Sequence, residues 1–235
     1  MLNDSTHTVV PHGDWIAART ALLAKEKEFT RLRDELSQAR RDLPWEEVTK
    51  EYVLTGPDGP ETLGDLFAGR SQLIVYHFMY PEDWDDGCRH CSFWADNFDP
   101  IIVHLNAIDV SMVAVSIAPI AKLEAYRKRM GWSFHWASAH GCDFSRDFGV
   151  SFTPQEMAEG AFFNYRTQKV GISEREGMSV FFKDADGRIF HTYSAYARGI
   201  DIFNTAYNYL DAVPLGRQEG EGRDNQWWVR RHEEY

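Results

Sequence analysis

The sequence predicts an α/β fold, a central mixed sheet flanked by helices, with a helical extension before it and a tail after it. Three observations carry that prediction. Residues 73–79 (LIVYHFM) and 110–116 (VSMVAVS) are apolar at both parities, as strands covered on both faces of a parallel sheet are. The segment between them starts with helix-like spacing and stays apolar through Leu105, so the unit reads β-α-β. A late stretch, MSVFFKDADGRIFHTY, reads as a hairpin turning at Asp184-Ala185-Asp186-Gly187.

The remaining elements follow in order. Residues 14–43 form a long amphipathic helix: Asp14 is the expected N-cap, Leu22, Phe29, Leu32, Leu36, Ala39 and Leu43 recur at helical spacing, and Pro44 closes it. Such a stripe calls for the rest of the chain or a second copy to cover it. A turn at Gly56-Pro57-Asp58-Gly59 leads to a short segment with Leu63, Leu66 and Phe67. Ile120, Leu123, Tyr126 and Met130 mark a helix that Gly131 ends, and residues 134–138 alternate as a short strand. Thr153-Pro154-Gln155-Glu156 is a capping box with proline at the first helical position, opening an insertion. Phe203, Ala206, Tyr207 and Leu210 give a last helix before Pro214.

The expected organisation is therefore an N-terminal helical arm (1–50), a domain (51–215) and a tail (216–235) whose Trp227 and Trp228 pack on the body or a neighbouring subunit. The order β-α-β-α-β, insertion, β-β-α, with a Cys-x-x-Cys at the first strand–helix junction, is the thioredoxin plan.

Composition narrows the function. The chain has 235 residues, 43% apolar and 14% aromatic, which is a globular balance. A net charge of −11 argues against nucleic acid and anionic membrane surfaces. No run reaches the roughly 18–20 apolar residues of a membrane span. The first residues lack a basic n-region followed by an apolar h-region. With three cysteines, an odd count, a cytoplasmic protein is expected.

The chemistry centres on GCRHC. A helix start offers unpaired N–H groups and the positive end of the dipole, which stabilise a thiolate. Cys88 is then the attacking sulfur and Cys91, one turn in, the resolving one. Arg89 and His90 add positive charge beside Cys88, while Glu82, Asp83, Asp85 and Asp86 in the preceding loop oppose it. The same pair also suits half a metal site or an inert buried pair. A closed structural zinc site usually takes four ligands at short paired spacings, and here the second pair is missing.

Other soft ligands keep a metal reading open. His135, His140 and Cys142 crowd into FHWASAHGCDF. Met178 stands just before the hairpin's first strand, where thioredoxin-like folds commonly present a proline to the dithiol, and a thioether beside two thiolates suits Cu(I). His191 and Tyr193 share a face if 189–193 is a strand. His77, inside the first core strand, reads as a satisfied core histidine.

The phrases LIVYHFMY, GCRHCSFWADNFD, VAVSIAP, RMGWSFHW, DFGVSFTP, GMSVFFKDADGRIFHTYSAYARG and LDAVPLGR, in that order, resemble a thioredoxin-like domain-of-unknown-function family described as predicted dithiol–disulfide oxidoreductases. The resemblance covers roughly residues 45–217 and implies an active pair at Cys88 and Cys91. His135, His140, Cys142 and Met178 depart from its usual residues, each adding a potential soft-metal ligand.

The reading is thus a dithiol–disulfide oxidoreductase that needs no cofactor and acts on a protein or small-molecule thiol or disulfide. The alternative is a copper-binding protein or copper-dependent oxidase using Cys88 and Cys91 with Met178, His135, His140, Cys142 or His191. A homo-oligomer is expected from the long helix and the aromatic tail.

Overall fold

The computed structural model describes residues 7–220 and 225–235; the start of the expected arm and the middle of the expected tail lie outside them. The chain divides into two compact units, Met1–Pro44 and Trp45–Tyr235. The first is one helix, α1 (His12–Arg41), none of whose side chains is buried. Its N-cap is Pro11 rather than Asp14, which instead sits in the first turn where a carboxylate complements the helix dipole.

The second unit is built on an eight-stranded sheet. Its elements run β1 (Glu46–Glu47), β2 (Val53–Gly56), β3 (Gly59–Thr62), β4 (Gln72–His77), α2 (Arg89–Phe98), α3 (Ile102–Asn106), β5 (Val110–Ser116), α4 (Ile120–Arg129), β6 (His135–Ser138), α5 (Phe144–Asp147), α6 (Pro154–Glu159), β7 (Ala161–Phe163), β8 (Arg166–Gln168), β9 (Gly177–Lys183), β10 (Ile189–Tyr196) and α7 (Thr205–Leu210). The sheet order is β1-β10-β9-β4-β5-β6-β2-β3, and β7 pairs with β8 apart from it. Strands β4, β5 and β6 are parallel, while β9 and β10 return antiparallel. That is the thioredoxin-like arrangement, an α/β fold with a mixed sheet.

The two-sided apolarity of the central strands has its cause in two separate cores. On one face Leu73, Val75, Val113, Val115, Ala137 and Phe181 pack with Phe67 and Phe144. On the other Tyr76, Met112, Ala114, Trp136 and Met178 pack with Trp94, Phe98, Tyr126 and both cysteines of the Cys-x-x-Cys. Successive side chains point to opposite faces, so a strand feeding two cores must be apolar throughout.

The capping box at Thr153 forms, with reciprocal hydrogen bonds to Glu156. It opens the segment carrying α6, β7 and β8, which has its own small core of Val150, Phe152, Ala161, Phe163, Val170 and Tyr196. One expectation fails in β10. A register shift between His191 and Tyr193 puts the two residues on different faces. His191 meets the rings of Phe148 and Phe181, whereas Tyr193 packs against the cluster holding the cysteines. An extra residue in one strand breaks the period of two that the alternation relied on.

Candidate active site

Strand β4 ends at His77, and residues 78–87 carry the chain to the head of α2. That path is tightly fitted. Cys88 N–H donates to the Met79 carbonyl (3.1 Å), fixing the backbone of Cys88 against the strand end. A Cβ on Gly87 would come within 2.9 Å of the rings of Phe78 and Tyr126, so only glycine passes there. Cys88 is the N-cap of α2, and its carbonyl accepts from Ser92 N–H (2.9 Å) and Ser92 Oγ (2.9 Å).

All three cysteines are free thiols. Cys88 is 8% exposed and Cys91 1%. Despite its burial, Cys88 is held well below the ordinary thiol range, first by the hydrogen bond from the Cys91 thiol and then by the His90 side chain and the Cys91 amide. Cys91 is driven well above that range, chiefly by burial and also by its role as donor to Cys88 and the nearby Glu176 carboxylate. Its sulfur accepts from Met79 N–H (3.4 Å). None of the acidic loop's carboxylates is among the leading influences on Cys88, and two of the four are engaged elsewhere. Asp86 pairs with Arg129 (2.7 Å) and Arg231 (3.6 Å), and Glu82 lies 3.5 Å from His140.

Residues the sequence reading passed over complete the site. Glu176, half-buried, is raised by burial and lies near both sulfurs. Tyr76 is completely buried, and its hydroxyl faces Cys91 with no nitrogen or oxygen partner among the described residues. Glu174 is buried and accepts from the N–H groups of Tyr80 (2.7 Å) and Ile117, which hold the loop ahead of Cys88; burial pushes its carboxyl up to about 8. The signal was the run Ser173-Glu174-Arg175-Glu176 just ahead of Gly177-Met178, a position already expected to face the dithiol.

A cavity of about 410 Å³ opens onto the thiols. Its lining includes Cys88, Cys91, His90 and Tyr76, the charged Arg175, Glu176, Arg198 and Asp201, and Asn225 and Gln226 from the tail. Arg89 is exposed, donates to His90 Nε2 (3.3 Å) and does not line the cavity.

The tail packs on α2 and on the loop ahead of it. Trp228 stacks edge-on to Phe93 with ring centroids 5.4 Å apart, and Val229 is fully buried. His232 Nδ1 lies 2.7 Å from Asp96 of α2. Arg231 donates to Tyr126 Oη (2.9 Å) and to the carbonyl of Gly87 (3.1 Å), one residue before Cys88.

The wider ligand set expected for copper does not come together. Met178 does share the cluster of Cys88 and Cys91. His135 instead lies 2.8 Å from the Glu61 carboxylate of β3, at the start of β6. His140 faces Glu82, and Cys142 packs in the opposite core. His191 contacts Ser194 Oγ (2.7 Å) and lines a second cavity that shares no residue with the first. Among the described residues no three His, Cys, Asp or Glu side chains are grouped to hold a metal ion. His77 is a core histidine as expected, but only partly satisfied: Nε2 lies 2.9 Å from Ser179 Oγ while Nδ1 is buried with no hydrogen-bond partner among the described residues, and burial lowers it to about 3, so it stays neutral.

Comparison with known proteins places the chain. It belongs to the family described as bacterial protein of unknown function (DUF899), which matches residues 4–235. No curated protein sequence matches it. Among solved structures it is similar to peroxidoxin BcpB from Mycobacterium tuberculosis, at 14% identity over 69% of this chain and 94% of that one, with a TM-score of 0.46. The bacterioferritin comigratory protein of Xanthomonas campestris is similar at 13% identity over 68% and 90%, TM-score 0.44. No described helix is long and apolar enough to cross a membrane.

Proposed function

We propose that this member of the family is a thiol–disulfide oxidoreductase in which Cys88 attacks and Cys91 resolves. The observation that carries the reading is the opposed polarisation of two free thiols one helical turn apart, both lining an open cavity. The Cys88 thiolate attacks one sulfur of a disulfide, a new S–S bond forms as the old one breaks, and the displaced thiolate takes a proton from water. Cys91 then passes its proton to Glu176 and attacks Cys88, displacing the second thiolate. Two electrons move from the dithiol to the substrate, and an external dithiol restores the reduced protein.

Each neighbour has a part in these steps. His90 and the helix head stabilise the Cys88 thiolate. Glu176, its carboxyl raised above the ordinary carboxylate range chiefly by burial, is the base placed to take a proton from a thiol. Tyr76 and Met79 N–H offer hydrogen bonds to the sulfur of Cys91 as it ionises. No cofactor enters. A copper reading would rest on Cys88, Cys91 and Met178 alone, with the Cys91 sulfur already engaged by these donors.

The test is trapping. Cys91→Ser treated with a small disulfide should hold one equivalent as a stable adduct on Cys88, read by mass. Cys88→Ser that consumes disulfide at the wild-type rate overturns the proposal.

A further inference from the structure

The same site also carries information about what reaches it. We infer that the disulfide substrate is a small molecule bearing carboxylates, admitted to the cavity over Cys88, and not an extended polypeptide. This rests on the dithiol reading above and adds a substrate class to it.

The first argument is access. An extended peptide docks beside a dithiol by adding as a strand to free backbone next to it. Here the segment leading into β9 is already paired by the chain's own insertion. Phe152 N–H donates to the Ser173 carbonyl (2.8 Å), Arg175 N–H donates to the Val150 carbonyl (2.8 Å), and Ser151 bridges Glu174. The insertion's own apolar core anchors that pairing. What remains open is the cavity of about 410 Å³, within the small-molecule range. Its walls are pinned: Trp94 Nε1 donates to the Ile200 carbonyl (3.2 Å), and Gln226 donates through Nε2 to Tyr207 Oη (2.6 Å) and through its amide to Glu219 (3.1 Å).

The second argument is charge. The cavity wall carries two guanidinium groups, Arg175 and Arg198. Arg175 Nε is buried with no hydrogen-bond partner among the described residues, and its guanidinium lies 5.9 Å from the Phe163 ring. Arg198, 82% exposed, reaches Asp201 (3.4 Å), but that carboxylate is already held by Arg217 (2.9 Å), a residue off the wall. Of the two acidic side chains on the wall, Asp201 is shared between Arg198 and Arg217, while Glu176 lies near both sulfurs and feels the Arg175 charge without hydrogen-bonding its Nε. Guanidinium forks match carboxylates bidentately. The chain as a whole carries −11, which favours cations at long range, so a preference for an anion must come from this wall.

The experiment follows thiol loss in the reduced full-length protein mixed with dithiodipropionate, hydroxyethyl disulfide, cystamine or insulin. Each rate constant is divided by that of free mercaptoethanol with the same reagent. The expected order is dithiodipropionate, hydroxyethyl disulfide, cystamine, with the first at least tenfold above the last and insulin at least tenfold below dithiodipropionate. Arg175→Gln should collapse the dithiodipropionate-to-cystamine ratio, and Arg198→Gln, at an exposed position that cannot unfold the chain, should reduce it. Cystamine as fast as dithiodipropionate, or insulin as fast as either, overturns the inference while Cys88-dependent thiol loss leaves the dithiol reading standing. No reaction with any disulfide, or the same reaction in Cys88→Ser, removes the dithiol reading and the inference with it.

Discussion

The Cys91 thiol donates to the Cys88 sulfur from one turn further along α2, and the two groups shift in opposite directions as a result. One proton shared in this way makes the outer sulfur the thiolate and the inner one the acid. Alkylation reads the consequence directly, because only thiolates react. Iodoacetamide at about pH 7, more than a unit below the ordinary thiol pKa of roughly 8.5, should label Cys88 rapidly and leave Cys91 unlabelled by peptide mass. Equal labelling of both would show that the polarisation is absent.

Glu176 is positioned to take the proton that Cys91 must lose. Because its carboxyl is raised and acts in the deprotonated form, closure of the mixed disulfide should speed up as pH rises through that raised value. Glu176→Gln should slow closure by roughly 10²-fold, the lower end for general base catalysis, and erase that limb of the pH profile. Alkylation of Cys88 in the same variant should stay fast. A closure rate that keeps its pH dependence would assign the proton to another group.

The sheet and both cysteines were legible in the sequence because strand burial and helix-head chemistry are local. Leu73, Val75 and Tyr76 announce two cores by parity alone, and Cys88 announces a helix start by following a strand and a turn. The failures are all non-local. His135 reads as a soft ligand until Glu61 arrives from β3, 74 residues earlier. Tyr193 lands away from His191 because a bulge adds a residue, which no alternation pattern encodes. Glu174 and Glu176 carry no local signal of burial, and the pairing of 173–175 with 150–152 that accompanies it joins segments more than 20 residues apart. Arg231, from the last five residues, bonds the carbonyl of Gly87 across 144 positions.

That Arg231 contact predicts a stability effect close to the site. Its guanidinium is 18% exposed and is balanced by Glu234 (2.8 Å) and Asp86 (3.6 Å). Arg231→Ala removes two charge-assisted donors from Tyr126 and Gly87, a loss of about 1.5–3 kcal/mol. Denaturant unfolding should show the drop in midpoint, and hydrogen exchange should quicken around residues 85–92. A variant with unchanged midpoint and exchange would mean that the tail does not hold the loop.

Glu174 gives the fold a pH dependence of its own. Its carboxyl stands at about 8 in the folded protein against an ordinary 4.5, chiefly from burial. Below about pH 4.5 folded and unfolded chains both hold the proton, and Glu174 costs nothing. Between about 4.5 and 8 the unfolded chain releases a proton that the folded chain keeps, so stability falls as pH rises, by on the order of 3–5 kcal/mol across the window. Above about 8 the folded form ionises as well and the loss is complete. Carboxylates held low, such as Asp86, act in the acid range and leave this window to the raised groups. Thermal unfolding followed from about pH 5 to about pH 8.5 should therefore show a declining Tm in the wild type. Glu174→Gln, which cannot ionise but keeps an acceptor for Tyr80 N–H, should remove at least half of that slope whatever its absolute Tm. An unchanged slope would show that another buried group, with Glu176 the next in line, carries the dependence.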